Sequence, residues 1–394
     1  MTAPLPFGLT AEALSAASAE ADPDSLAAAT RLRGRFGPEL ATAALHQASL
    51  RLRARTKFGS ESAEMFFTRA GLEQATRPDV AAHHARRMVD AGARRVVDLG
   101  CGIGSDALAF VRAGLEVLAV DLDPDTAAVA RANLTQPDLV GLGTVICADA
   151  ADVMRDQLRP GDAVFCDPAR RSDRGRLWRV EDFTPDWSLV TGLLDGSRVA
   201  GVKLGPALPH SLIPAAVQAQ WVSHRSEVVE VALWSGPGTE PGRRSAYVWP
   251  DHELVTVRPA PELAIGPVGR YLFEPDGAVI RAGGVGQLGE SLAAHLLDPQ
   301  IAYLCADTLT PTPYAAAFEV VEVLPFAVKA VKRWCREQEI GTLEIKKRGV
   351  DFDPAVLRPR LGLRGANRAT LVVSRTQAGA VAVVTRRIQA PYSP

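Results

Sequence analysis

The stretch Val96-Val97-Asp98-Leu99-Gly100-Cys101-Gly102-Ile103-Gly104-Ser105-Asp106-Ala107-Leu108 decides the fold. Val96 and Val97 are β-branched and apolar, as a strand buried on both faces of a parallel sheet requires. Glycines at 100, 102 and 104 permit positive φ and let a ligand approach the backbone closely. Ala107, Leu108 and Phe110 open a helical pattern whose N-terminal amides face whatever lies over the turn. Strand, glycine turn and helix make a nucleotide-type binding corner. A dinucleotide fold wants G-x-G-x-x-G, with the pyrophosphate on the helix N-terminus. Here the spacing is G-x-G-x-G, and Asp98 stands two residues before the first glycine. A carboxylate at that point repels a pyrophosphate but suits the ammonium end of an amino-acid-like ligand.

S-adenosylmethionine has such an end and no phosphate. The stretch resembles the first motif, D-x-G-x-G-x-G, of the class I S-adenosylmethionine-dependent methyltransferases. A second strand, Leu115 to Val120, ends in Asp121-Leu122, with Asp121 17 positions past Gly104. An acid about 20 residues after the glycines is placed to accept both hydroxyls of a ribose. Asp123, just beyond, reads equally as a helix N-cap. A third strand, Gly143 to Cys147, leads into Asp149-Ala150. The resemblance implies that Asp149 meets the adenine amine and that Ala150 lies near the ring. It implies S-adenosylmethionine as cofactor, held by Asp98, Gly100, Gly102, Gly104, Asp121, Leu122, Asp149 and Ala150.

The fourth strand, Asp162 to Cys166, runs into Asp167-Pro168-Ala169-Arg170-Arg171. In a doubly wound sheet the strand tip beside the switch point faces the substrate. This position is similar to the D/N/S-P-P-aromatic motif of the base-amine methyltransferases. The resemblance makes Asp167 and the Pro168 backbone the catalytic pair, orienting or deprotonating the acceptor. Ala169 and Arg170 stand where that motif has its second proline and its aromatic, so the match stops after two residues. A D-P-P-R form resembles the uracil-C5 family, but that chemistry needs a nucleophilic cysteine after the next strand, and none follows. Cys166 lies inside an apolar strand and reads as a small buried hydrophobe. Arg170, Arg171 and Arg174, with Trp178 beyond them, read either as phosphate contacts with a stacking platform or as a solvated loop.

Composition bounds the rest. A chain of 394 residues expects roughly two or three domains. A net charge of −1 excludes a global polyanion-binding field, so any nucleic-acid surface is local. The five cysteines are scattered without a C-x-x-C pair, which argues for reduced thiols, against a zinc site and for a cytoplasmic protein. No basic segment followed by an apolar one is read near residue 1, so no secretory leader is expected, and no apolar run of about 18 residues appears, so no membrane span is expected. His83 and His84 lie on a predicted helix from Val80 to Ala91. Adjacent helical residues point about 100° apart, so the two read as surface or packing residues rather than as ligands of one ion. The methyltransferase resemblance implies that the stretch before the first strand covers the methionine end of the cofactor, with Glu73 and Thr76 as candidates. Arg51, Arg53, Arg55 and Lys57 close a helix, where they either touch RNA or favour the dipole as a solvated end.

The expected fold class is α/β: a Rossmann-like class I methyltransferase sheet with a helical N-terminal domain and a small α+β C-terminal domain. The boundaries expected are 1–75, 76–250 and 251–394. The tail is similar to the THUMP-like domain of certain bacterial methyltransferases, on Gly341 to Asp351 and on Leu361-Gly362-Leu363-Arg364-Gly365. THUMP domains proper bind RNA, so RNA is the implied partner. From Leu343 to Arg375 eight Lys/Arg, Lys346, Lys347 and Arg348 among them, face three acids. That balance makes either a phosphate-binding patch or a solubilising face. The readings left open are an RNA methyltransferase, a cofactor-binding RNA-interaction protein with weak or no catalysis, and a small-molecule methyltransferase.

Overall fold

The computed structural model describes residues 5–135, 139, 141–170 and 182–389. Contacts group the chain into two units, residues 1–219 with 230–242 and residues 220–229 with 243–394.

The first unit opens with helices α1 (Ala11–Ser18), α2 (Leu26–Phe36), α3 (Pro38–Phe58), α4 (Arg69–Gln74) and α5 (Pro78–Asp90). Their starts are written in the sequence. Thr10, Ser25 and Thr68 each accept the backbone N–H three residues on, while α3 and α5 begin with proline. Then β1 (Arg95–Leu99), α6 (Ser105–Arg112), β2 (Glu116–Asp121), α7 (Pro124–Leu134) and β3 (Gly143–Cys147) alternate. After α8 (Ala150–Asp156) come β4 (Ala163–Cys166), β5 (Ala169–Arg170), β6 (Phe183–Thr184), α9 (Trp187–Gly192) and β7 (Ala200–Leu204). The chain continues through β8 (Gln218–His224) and β9 (Glu227–Ser235).

Strand order in this unit is β9-β7-β4-β1-β2-β3, with β9 antiparallel to β7 and the others parallel. The order reverses between β1 and β4, which places the ligand crevice at the carboxyl ends of those two strands. Strands β1, β4 and β7 are mostly apolar and almost wholly buried, as crossover helices on both faces require, with Asp98 and Lys203 as the buried charged exceptions. Apolar residues from Leu14, Leu45 and Phe58 in the helices to Phe110, Phe165 and Trp234 form one continuous core.

The second unit holds β10 (Arg244–Val248) paired antiparallel with β11 (His252–Val255). It continues through β12 (Tyr271–Pro275), α10 (Gly277–Ala282), α11 (Val285–Ser291), β13 (His295–Asp298) and β14 (Ile301–Ala306). The last elements are β15 (Ala315–Pro325), α12 (Val328–Glu337), β16 (Ile340–Arg348), α13 (Pro354–Leu361), β17 (Asn367–Thr376) and β18 (Gly379–Arg387). Seven strands pair in the order β13-β14-β12-β15-β18-β17-β16, with only β16 and β17 parallel. Val331, Trp334, Leu343, Leu357 and Val373 seal α12 and α13 onto this sheet.

Candidate active site

The glycine turn is built by its neighbours as much as by its own residues. The N–H groups of Gly100 and Cys101 both donate to the Val120 carbonyl at 2.9 Å, tying the turn to β2. Asp121 Oδ2 accepts from Gly102 N at 3.0 Å, and Oδ1 accepts from Asp123 N at 3.0 Å. A Cβ on Gly100 would stand 2.9 Å from the Asp167 carbonyl oxygen, at φ +78°. Only glycine lets the tips of β1 and β4 close this tightly. At Gly102 a Cβ would meet nothing within 4 Å, so the backbone there faces open space.

Asp98 is 1 % exposed, and neither of its carboxyl oxygens has a hydrogen-bond partner among the described residues. Burial first, and then the charges of Asp106 and Asp167, push its carboxyl well above the usual range. An orphaned buried carboxyl is costly and implies a missing cationic or donor partner. Asp149 is exposed and caps α8, accepting Ala151 N at 2.8 Å, with Ala150 half-buried beside it. Leu122 is 60 % exposed at the rim. Asp123 caps α7 by accepting Thr126 N at 2.8 Å, the second of the two roles its position allowed.

At the tip of β4, Asp167 N donates to the Leu99 carbonyl, so the β1–β4 ladder runs one step beyond the strands. The Asp167 side chain is 35 % exposed, and its Oδ2 lies 2.5 Å from Lys203 Nζ. Lys203, from β7, also donates to Thr76 Oγ1 at 2.8 Å. Thr76 in turn donates to Asp106 Oδ2 at 2.5 Å, and Asp106 Oδ1 meets His84 Nδ1 at 2.8 Å. His84 Nε2 lies 2.6 Å from Glu230 Oε1. Six side chains from β9, α5, α6, the α4–α5 connection, β7 and β4 thus form one unbroken polar chain.

His84 is fully buried, so of its two readings the surface one is overturned. Burial opposes its charge, but Glu230 and Asp106 outweigh burial and hold the imidazole up at about 10. Both ring nitrogens are therefore donors, each aimed at a carboxylate. Burial likewise works against the Lys203 ammonium, yet Asp167, Asp106 and Glu230 keep it above the ordinary lysine range. Burial raises the Asp167 carboxyl, and contact with Lys203 pulls it back down. Sequence reasoning singled out Thr76 and Asp167 but missed Asp106, Glu230 and Lys203. No motif joins positions 76, 84, 106, 167, 203 and 230.

Of the arginines expected to meet substrate, Arg171 and Arg174 lie outside the described residues, as does Trp178. Ala169-Arg170 pairs antiparallel with Phe183-Thr184, a short ladder at the base of that stretch. In the second unit, Lys346 Nζ lies 2.8 Å from Glu274 Oε2, and Arg348 lies 3.6 Å from Glu274 Oε1 and stacks on Tyr303. Lys347 donates to the Phe352 carbonyl. Arg51 donates to the Met65 carbonyl and Lys57 to those of Leu72 and Glu73, so this helix end serves the fold.

Comparison with known proteins finds a methyltransferase domain over residues 96–173, a THUMP domain-like region over 315–387 and a domain of unknown function over 11–54. Two Mycobacterium tuberculosis proteins, from strains CDC 1551 and H37Rv, are each described as an uncharacterized S-adenosylmethionine-dependent methyltransferase. They are 33 % identical over 369 residues, covering 91 % of this chain and 99 % of theirs. A crystal structure from Porphyromonas gingivalis W83, assigned as a methyltransferase, matches with a TM-score of 0.76 at 19 % identity and so shares the fold. It covers 96 % of this chain, which covers 98 % of it. By the M. tuberculosis relationship, the glycine motif and the sheet order, the chain belongs to the class I S-adenosylmethionine-dependent methyltransferases and carries a THUMP-like domain.

Proposed function

We propose that this methyltransferase acts on a base of structured RNA, with Asp167 and the Pro168 backbone facing the acceptor. The observation that carries the reading is the place of Asp167, a half-exposed carboxylate on the β4 tip whose own carbonyl packs against Gly100. When bound, S-adenosylmethionine supplies a methyl carbon on a cationic sulfur that leaves as a neutral thioether.

The residues fit that cofactor. The orphaned Asp98 carboxyl matches its ammonium group, and the open face at Gly102 leaves room against the backbone. Each Asp121 oxygen accepts one amide and keeps a second lone pair for a ribose hydroxyl. Asp149, Ala150 and Leu122 are assigned to the adenine side, and Gly104 to the end of the turn. Asp167 accepts the acceptor's N–H, aligning its lone pair with the methyl carbon, and takes the proton released as the new bond forms.

RNA is favoured by the THUMP-like match and by the basic residues Arg170, Arg171, Arg174, Lys346, Lys347 and Arg348. The D-P-A-R sequence favours a second reading, a cofactor-binding RNA-interaction protein without turnover. Tritiated methyl transfer to bulk RNA, DNA and protein extract separates the two. We expect label in RNA, and a drop of about 100-fold or more in Asp167→Ala, the range of a lost proton-transfer group. Label in RNA at full rate in that variant overturns the role of Asp167, and label in protein alone overturns RNA as substrate.

A further inference from the structure

Lys203 has no part in the reaction as just described, yet it is the residue that touches Asp167. It comes from β7, the immediate neighbour of β4, and is 8 % exposed. One contact goes forward to Asp167 Oδ2 at 2.5 Å, and another goes back to Thr76 Oγ1 at 2.8 Å. Behind Thr76 stand Asp106, His84 and Glu230, each hydrogen-bonded to the next. The ammonium is therefore pinned in place rather than free to swing away.

The pinning decides what Asp167 presents to an incoming group. A lone carboxylate at a half-exposed tip attracts a cationic amine. With an ammonium in contact, the tip is half of a neutral pair. A cationic acceptor then meets attraction and repulsion from nearly the same place. A neutral N–H or O–H still finds the other carboxylate oxygen as a hydrogen-bond acceptor. The charge balance thus discriminates between acceptor classes without any contact between Lys203 and the acceptor.

We infer that Lys203 is a specificity-determining residue: by pairing with Asp167 it sets the acceptor side for an uncharged hydrogen-bond donor and against a cationic amine. The inference rests on the reading that Asp167 faces the acceptor. It narrows the substrate class to neutral groups such as nucleobase amines or amides, and excludes lysine side chains and polyamines.

The test uses two cofactor analogues and the full chain. S-adenosylhomocysteine carries a neutral thioether at the reacting position, whereas sinefungin carries a protonated amine there. Calorimetry at pH 7 gives the ratio of their affinities. In Lys203→Met that ratio shifts toward sinefungin by about tenfold or more, while Lys203→Arg keeps the wild-type ratio. Asp167→Asn removes the carboxylate that the lysine contacts and shifts the ratio the other way by a similar factor. This second variant decides the matter if the methionine substitution unfolds the site. An unchanged ratio in Asp167→Asn, or in a Lys203→Met that binds S-adenosylhomocysteine normally, overturns the inference, as does methyl transfer to a lysine-rich protein. Absence of label in bulk RNA overturns the proposed substrate and leaves the ratio to be read by itself.

Discussion

Two charged regions of this molecule look alike in number and differ in construction. On β16 of the second unit, Lys346, Lys347 and Arg348 follow one another, and their partners are Glu274, Glu344 and a backbone carbonyl. In the first unit, His84 and Lys203 lie 119 positions apart and meet carboxylates drawn from three further elements. The first region is a local run laid on a strand, where alternate residues point to opposite faces. The second is assembled by the fold, with His84 and Lys203 buried in it. Local runs are easy to read and cheap to change; assembled clusters are neither, and here the assembled one reaches the tip of β4.

The largest way to break that contrast is His84→Leu. It leaves the Asp106 and Glu230 carboxylates buried without their shared cation, and removing one partner of a buried pair costs about 3–5 kcal/mol. We expect the urea midpoint of the first transition to fall accordingly, and an unchanged midpoint would show the cluster to be dispensable.

The next effect is one of pH. The folded imidazole is held at about 10, above the ordinary 6.5, so the native state keeps a proton that the unfolded chain has released. Its contribution is fully present below about pH 6.5 and is lost as pH rises through about 10, with a slope of about 1.4 kcal/mol per unit between. Lys57, lowered to about 8 chiefly by burial, acts in the opposite sense above that pH. The window that Lys57 leaves clear is therefore pH 6.5 to 8, where stability should fall more steeply in the wild type than in His84→Leu, since the raised Asp98 carboxyl acts in the same sense in both. Equal slopes in the two there would mean a neutral His84.

The smallest effect belongs to β16. Lys346→Met together with Arg348→Met should cost about 1 kcal/mol or less, since such partly exposed pairs contribute little. RNA affinity, measured across salt concentrations, should lose about two units of log–log slope if both residues contact phosphate. No change in slope would mean that Glu274 keeps both cations occupied.

What could be read from the sequence follows the same division. The strand before Gly100, the tips at Asp121 and Asp149 and the caps at Ser25, Thr68 and Asp123 are local signals, each set by a few adjacent residues. The strands of the THUMP-like region around Thr342, Ala369 and Ala380 carry equally local signals in their apolar and β-branched residues. β8 was not: Gln218, Gln220, Ser223 and His224 read as polar, yet all are buried, with Gln220 donating to Glu253 at 2.7 Å. Adjacent histidines on a helix said nothing of His84, because its two carboxylates lie 22 and 146 residues away in the chain. Partners at such separation leave no periodic trace.

The two units divide the chain at 219/220, 229/230 and 242/243 rather than at a single linker. A protease cutting near residue 250 would therefore not release the second unit whole, for residues 220–229 would stay on the other fragment. The methyltransferase half cannot be bred or excised as a cassette by one cut. Any exchange of the second unit between relatives has to carry that ten-residue strip along with it.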